Sequence, residues 1–288
     1  MLYPNPLKDP DLKVLLEAKE MLDRHGAESW IPSDLEHASV LAEIGELREI
    51  VRENEKYLPV TDMIICLGGD GTILHAARLA SERGIPILGI NVGTVGFMVE
   101  LETGELEMIA AALAGKGGID SRMMLCVKVF RAGAEVFRTG ALNDAVVCRG
   151  SLSKIIRLDA LTDGHMVFSH SGDGVIVATP SGSTAYNMSA GGPIVEPQAE
   201  NIIITPICAR DRNTQSFVLP PEREVRIKLG RIPDKTAFLV TDGGNPFGLL
   251  EGDEVVCTRS ERVLRLIRLK NQSFYDLINI KLKRLGSF

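Results

Sequence analysis

The chain has 288 residues, 45% of them apolar and 24% charged, and carries a net charge of −6. This is the composition of a soluble globular protein, long enough for two domains of ordinary size. The acidic balance excludes the basic footprint of a nucleic-acid binder, so an anionic ligand would have to be held by local N–H groups, a few cations and a metal ion. Five cysteines (Cys66, Cys126, Cys148, Cys208, Cys257), odd in number and widely spaced, read as buried free thiols rather than disulfides or a zinc site. The histidines show no metal-ligand spacing; His165 and His170, five apart in a strand-like run, would face opposite ways. Met1-Leu2-Tyr3-Pro4-Asn5-Pro6 has neither a basic nor an apolar leader segment, and no run approaches about 18 apolar residues. The default expectation is a cytoplasmic protein that binds no membrane.

In chain order, Leu2-Tyr3 can form only a stub of a strand. Pro10 is expected to open a helix with Leu12, Leu15, Leu16, Ala18 and Leu22 among its apolar positions, ended by Gly26. Trp30-Ile31-Pro32 reads as a connector. Ser33 with Glu36 resembles a capping box ahead of a second, more polar helical region that Pro59 stops.

Residues 63–67 are an unbroken apolar run, which predicts a strand buried on both faces. Gly68-Gly69-Asp70-Gly71-Thr72 follows, and then Ile73, Ala76, Ala77 and Ala80 at the spacing of one helix face. A strand, a glycine turn and a helix start point backbone N–H groups at whatever sits above the turn, which suits phosphate. Gly68, Gly69 and Gly71 are expected to bend the chain with positive φ and to admit a ligand close to the backbone. Asp70 could cap the helix, or could orient a hydroxyl, take its proton, or hold a cation. No G-x-x-x-x-G-K-[ST], G-x-G-x-x-G or protein-kinase motif set is present.

Gly84 ends that helix, and residues 85–91 form a second apolar strand followed by a glycine loop through Gly93, Gly96, Phe97 and Met98. The result is a βαβ unit, which binds ligands at the carboxyl ends of its strands. Thr103 can cap a helix over residues 105–114, and Gly115-Lys116-Gly117-Gly118 closes the segment. Beyond Gly118 the texture changes to short β-like runs, with Thr162-Asp163-Gly164 as a hairpin signal. Residues 254–258 and 262–269 read as two strands, and Ser273 can cap a closing amphipathic helix through Phe274, Leu277, Ile278 and Ile280.

Three further polar clusters lie in turns. Asn143-Asp144 reads as an Asx turn or as an amide and carboxylate that grip the vicinal hydroxyls of a ribose. Gly172-Asp173-Gly174 is a second such cluster, with a tight turn as the plainer reading. Residues 179–193 are too long and too rich in small polar residues for a simple hairpin, and Tyr186 and Met188 among the hydroxyls suit a ligand-lining loop.

These segments together resemble the NAD kinases (ATP-NAD kinases): Gly68-Gly69-Asp70-Gly71-Thr72, the loop after Asn91, Asn143-Asp144, Gly172-Asp173-Gly174 with Thr179-Pro180-Ser181-Gly182-Ser183-Thr184-Ala185-Tyr186, and the tail Leu266-Ile267-Arg268-Leu269-Lys270-Asn271-Gln272-Ser273-Phe274-Tyr275. The resemblance runs from about Met63 to the C-terminus. Position 144 is Asp where many members have Glu, position 171 is Ser where some carry a basic contact, and Gly244 stands where many have Gln. Residues 211–219 match poorly.

The resemblance implies an α/β N-terminal domain with a Rossmann-like parallel sheet, over residues 1–118 plus about 262–288, and a mostly-β C-terminal domain over 119–261, with the last helix returning to the first domain. It implies phosphoryl transfer from ATP, or polyphosphate, to the 2′-hydroxyl of the adenosine ribose of NAD, with a divalent cation (Mg²⁺) accompanying the nucleotide and no protein ligand for it identified. Asp70 would be the catalytic base, in a phosphate loop of Gly68, Gly69, Gly71 and Thr72. Dinucleotide contacts would come from Asp70, Gly71, His75, Asn143, Asp144, Lys154, Asp173 and Thr184-Ala185-Tyr186-Asn187-Met188-Ser189. The resemblance also implies a homodimer or homotetramer. A GGDGT-type lipid kinase and a non-catalytic NAD(H) sensor are the alternatives.

Overall fold

The apolar run before the glycine turn forms the strand Ile64–Gly68, buried at every residue. The computed structural model describes residues 1–35, 37–93, 96–150, 154–210, 214–232 and 236–285. Glu36 of the expected capping box, Thr94 and Val95 of the second glycine loop, and residues 211–213 lie outside the described residues. The chain divides into two units, Met1–Ser121 with Leu264–Phe288, and Arg122–Val263.

In the first unit, Leu2–Pro4, Ile64–Gly68 and Ile87–Asn91 pair in parallel, and Leu266 continues the sheet in parallel beside Ile87. The helix Asp70–Arg83 crosses between two of these strands and buries Ile73, Ala76, Ala77 and Ala80. Gly84, at φ 66°, ends it. The first helix spans Lys13–Arg24 and does not start at Pro10. Asp9 accepts from the N–H groups of Val14 and Leu15, at 3.3 and 3.0 Å, so the chain turns through Leu12 (φ 54°) before the helix begins. The polar helical region expected before Pro59 is broken into Ala38–Leu41, Gly45–Arg48 and Asn54–Tyr57. Ile31–Pro32 is no mere connector: it pairs in parallel with Val51–Arg52, which interrupts the helical region. Thr103 is the first residue of the segment and Glu102 its N-cap. The segment is a 3₁₀ turn, Thr103–Met108, and a short helix, Ile109–Leu113, with Glu102 and Glu105 forming the capping box.

The second unit packs two sheets on one core. The six-stranded sheet runs Phe217–Leu219, Ile202–Ile207, Gly174–Ala178, Asp144–Arg149, Ala237–Thr241, Phe247–Leu249, antiparallel throughout. Its inner face presents Val147, Val177, Ile204 and Leu239 to Val127, Leu158, Ile227 and Val255 of the other sheet. Its outer face, through Val146, Ile176 and Ile203, is covered by Ala190 and Val195. Burial on both faces explains why these strands read as continuous apolar runs. Asp163 and Gly164, both at positive φ, make the two-residue turn between Ile156–Thr162 and His165–Gly172. His170 is buried and His165 exposed.

The two strands expected near the C-terminus are one, Glu254–Arg268. Arg259-Ser260-Glu261 holds no Gly, Pro, Asn or Asp and stays extended. The closing helix is Phe274–Leu285, with the Tyr275 N–H donating to Ser273 Oγ at 3.2 Å. All five cysteines are free, but Cys208 is exposed rather than buried.

Gly89, in the middle of a parallel strand, has no room for a side chain. A Cβ there would lie 2.7 Å from Ile73 Cδ1 and 2.9 Å from Val99 Cα. Gly89→Ala is expected to destabilise the fold by about 2 kcal/mol through overpacking, read as a lower urea midpoint at unchanged slope.

Candidate active site

In the first unit the candidate residues lie where strand meets helix. Gly69 is the extended N-cap residue (φ −142°, ψ −163°) of Asp70–Arg83. None of Gly68, Gly69 and Gly71 has positive φ, contrary to expectation. Close packing requires one of them: a Cβ at Gly68 would lie 2.0 Å from Thr72 Oγ1, whereas one at Gly69 would meet only the end of the exposed Lys8 side chain, 2.6 Å from its Nζ. Thr72 Oγ1 accepts from the Gly69 N–H at 3.4 Å and from Asn5 Nδ2 at 3.2 Å. Gly71 is exposed at the first turn of the helix, where N–H groups lack intrahelical acceptors.

Asp70 does not cap its own helix. Its carboxylate accepts from the N–H groups of Phe97 and Met98, at 2.8 and 2.9 Å. Gly96 permits this, because a Cβ there would stand 2.2 Å from Asp70 Oδ1. Each carboxylate oxygen takes one of these donors. The 97–100 segment is held from behind by Arg268, which donates to the carbonyls of Met98 and Val99 at 3.2 Å each and to Glu100 and Asp120. Glu100, buried, accepts in turn from the Leu269 and Lys270 N–H groups at 2.8 and 2.6 Å. Sequence reasoning named neither Gly96, Arg268 nor Glu100 as site residues. Their signal was the tail motif containing Arg268, whose partners lie some 170 positions earlier. His75 is exposed on the same helix.

The second unit holds Asn143 and Asp144 at the start of Asp144–Arg149. Asp242 fixes them: its carboxylate accepts from the N–H groups of Leu142, Asn143 and Asp144 at 2.7, 2.7 and 3.1 Å. Asp242 itself sits at φ 51° in a turn with Gly243. Thr179 Oγ1 donates to the Leu142 carbonyl at 2.5 Å, and Gly182 packs so tightly that a Cβ would lie 2.0 Å from the Asn143 carbonyl oxygen. Asn143 Oδ1 is left buried without a hydrogen-bond partner. Burial, and secondarily the Asp242 charge, push the Asp144 carboxyl up to about 7. An unsatisfied amide oxygen beside a carboxyl is an arrangement that accepts from paired hydroxyls.

Residues 181–189 form two short helical turns, Ser181–Thr184 and Tyr186–Ser189. Asn187 is fully buried there: its amide donates to the carbonyls of Ser183 and Pro193 and accepts from Thr205 Oγ1 at 2.7 Å. Thr184, Ala185 and Met188 are half-buried, Ser189 exposed, and Tyr186 stands out at 47% exposure. Asp173 pairs with Arg149, Nε to Oδ1 at 2.7 Å. Lys154 is exposed. Among the described residues no three His, Cys, Asp or Glu side chains cluster to hold a metal, and no helix is long and apolar enough to cross a membrane.

Residues 18–117 match the model of the ATP-NAD kinase N-terminal domain, and residues 142–269 that of the ATP-NAD kinase C-terminal domain. The chain belongs to the ATP-NAD kinase family. It is 39% identical over 280 residues to the NAD kinase of Caldanaerobacter subterraneus subsp. tengcongensis, covering 97% of this chain and 96% of that one. It is 42% identical over 234 residues to the NAD kinase of Moorella thermoacetica, covering 81% and 75%. Among solved structures, yeast NADH kinase complexed with NADH matches with a TM-score of 0.88 at 26% identity, over 100% of this chain and 88% of that one. An NAD kinase from Archaeoglobus fulgidus in complex with ATP matches with a TM-score of 0.68 at 27% identity, over 90% and 99%. The α/β unit and the mostly-β unit are the architecture of this family.

Two outcomes follow for these carboxyls. Gly96→Ala forces the Asp70 carboxylate off its two donors and should lower kcat about tenfold or more with little change in the affinity for NAD. A carboxyl held above its ordinary 3.8 binds its proton more tightly when folded, so Asp144 stabilises the fold at acid pH and that contribution is lost as pH rises through about 7. The Tm of the wild type should therefore fall between pH 4.5 and 7.5 more steeply than that of Asp144→Asn, as scanning calorimetry across this range would record.

Proposed function

We propose that this chain transfers the terminal phosphoryl group of ATP to the 2′-hydroxyl of the adenosine ribose of NAD, giving NADP and ADP. The observation that carries the reading is the Asp70 carboxylate, held at the head of a glycine-loop helix by the Phe97 and Met98 N–H groups. The ribose oxygen attacks the terminal phosphorus, the bond to the β–γ bridging oxygen breaks, and ADP departs. The hydroxyl proton passes to Asp70. Because two N–H groups fix the carboxylate, its main contribution is to align the hydroxyl, with proton acceptance late, as suits a reaction governed by positioning. The glycine loop, with Gly68, Gly69, Gly71 and Thr72, is the seat for donor phosphate.

Asn143 Oδ1 and the Asp144 carboxyl accept from ribose hydroxyls, with Asp242 holding both in place. Thr184-Ala185-Tyr186-Asn187-Met188-Ser189, Asp173, Lys154, His75 and Gly71 complete the dinucleotide contacts; the Asn187 amide serves the scaffold, so its contact falls to backbone. Mg²⁺ arrives with the triphosphate as part of the substrate and offsets its charge. The yeast and archaeal relatives, in complex with NADH and with ATP, support a dinucleotide acceptor and a nucleotide donor. The sensor and lipid-kinase readings draw no support from the relatives.

We also infer a cytoplasmic homodimer or homotetramer. The edge strand Phe217–Leu219 leaves Phe217 and Val218 exposed, an apolar edge of the kind a second copy covers. Light scattering on the purified chain tests the assembly, and a monomer would count against it.

Asp70→Asn should lower NADP formation from NAD and MgATP by about a hundredfold or more while calorimetry still records NAD binding. Turnover at the wild-type rate in that variant would remove Asp70 from the mechanism. Substituting polyphosphate for ATP in the same assay settles the donor range.

A further inference from the structure

The strand Leu2–Pro4 runs parallel to Ile64–Gly68, so the chain that follows it leaves the sheet at the same end as the glycine loop. Asn5 anchors that segment to the loop. Its N–H donates to the Leu67 carbonyl at 3.0 Å and its Nδ2 to Thr72 Oγ1 at 3.2 Å. Lys8 and Asp9 turn back on Asn5, their N–H groups donating to its carbonyl at 3.0 and 3.1 Å. Asp9 then caps the first helix. Residues 5–9 are thus fixed at both ends, and Lys8 projects from them over the loop. Its Nζ lies 2.6 Å from the position a Cβ would take on Gly69, the residue before Asp70.

Lys8 is exposed, and among the described residues no carboxylate lies within ion-pair distance of it. Other lysines of the chain do pair: Lys19 with Asp23, Lys228 with Glu254 and Lys270 with Glu105. The acid nearest in sequence to Gly69 is Asp70, and its carboxylate is engaged by Phe97 and Met98. Among the described residues, an ammonium without an anion partner therefore stands over a glycine whose missing side chain leaves the backbone open. A flexible point charge of this kind suits a phosphate chain that must move during transfer.

We propose that Lys8 binds the phosphate chain of the phosphoryl donor, holding it against the Gly69 backbone beside Asp70. This assignment rests on the kinase reading above and adds a residue from the N-terminal segment, ahead of the region matched by the family's N-terminal model. Lys8 makes no contact with the acceptor in this scheme; it sets donor affinity.

The test uses Lys8→Met and Lys8→Arg in the full chain. Calorimetry measures the binding of inorganic tripolyphosphate with Mg²⁺, and steady-state assays measure KM for ATP at saturating NAD. Lys8→Met should weaken tripolyphosphate and raise KM for ATP about tenfold, with NAD affinity and Tm unchanged, and Lys8→Arg should recover most of the loss. Tripolyphosphate binding and KM for ATP within twofold of wild type in Lys8→Met would overturn the proposal. So would an equal loss of NAD affinity with a lowered Tm, which a purely structural lysine would produce. A wild type that forms no NADP, yet binds tripolyphosphate through Lys8, would overturn the kinase reading and leave the anion site standing.

Discussion

The two hydrogen bonds from the Phe97 and Met98 N–H groups to the Asp70 carboxylate join the two glycine loops of the first unit. One loop ends the strand Ile64–Gly68, and the other follows Ile87–Asn91. A carboxylate at a helix start would ordinarily turn back to cap the helix. Here it reaches across instead, and Gly96 makes space for it. Arg268 and Glu100 secure the second loop against the last strand, so the orientation of one carboxylate depends on residues from three distant parts of the chain. For phosphoryl transfer, where positioning supplies most of the rate, that rigidity matters more than basicity.

The second unit uses the same contact, a carboxylate on backbone N–H groups, with the roles exchanged. Asp242 places a buried negative charge against three backbone N–H groups, and these fix Asn143 and Asp144 at the end of their strand. The arrangement leaves Asn143 Oδ1 unsatisfied and keeps the Asp144 carboxyl near neutrality in its titration. Both are costly in a folded protein that binds nothing. A ligand with adjacent hydroxyls would satisfy both at once.

The strands and the principal helix were legible because burial on both faces writes itself as apolar runs and a helical face as a 3.6-residue period. Ile73, Ala76, Ala77 and Ala80 gave the helix, and Asp163-Gly164 the hairpin. The region between Gly26 and Pro59 was misread, because its tiny helices and two-residue strands carry no period long enough to detect. None of the glycines at the turn that ends Ile64–Gly68 needs positive φ, and packing demands one of them, Gly68, where Thr72 fills the space.

The sequence by itself determined which residues could do the chemistry: a lone carboxylate among glycines, an amide beside a carboxyl, and a small polar loop with one tyrosine. These are local signals, set by residue type and short spacing. Only the tertiary structure decided where Asp70 points, what holds Asn143 and Asp144, and that Lys8 overlies Gly69. Each of those depends on contacts between residues 27 to 170 positions apart or, for Lys8, on two parallel strands separated by some sixty residues. Such contacts arise from chain closure around a core, and no local pattern in the sequence encodes the partner at the far end.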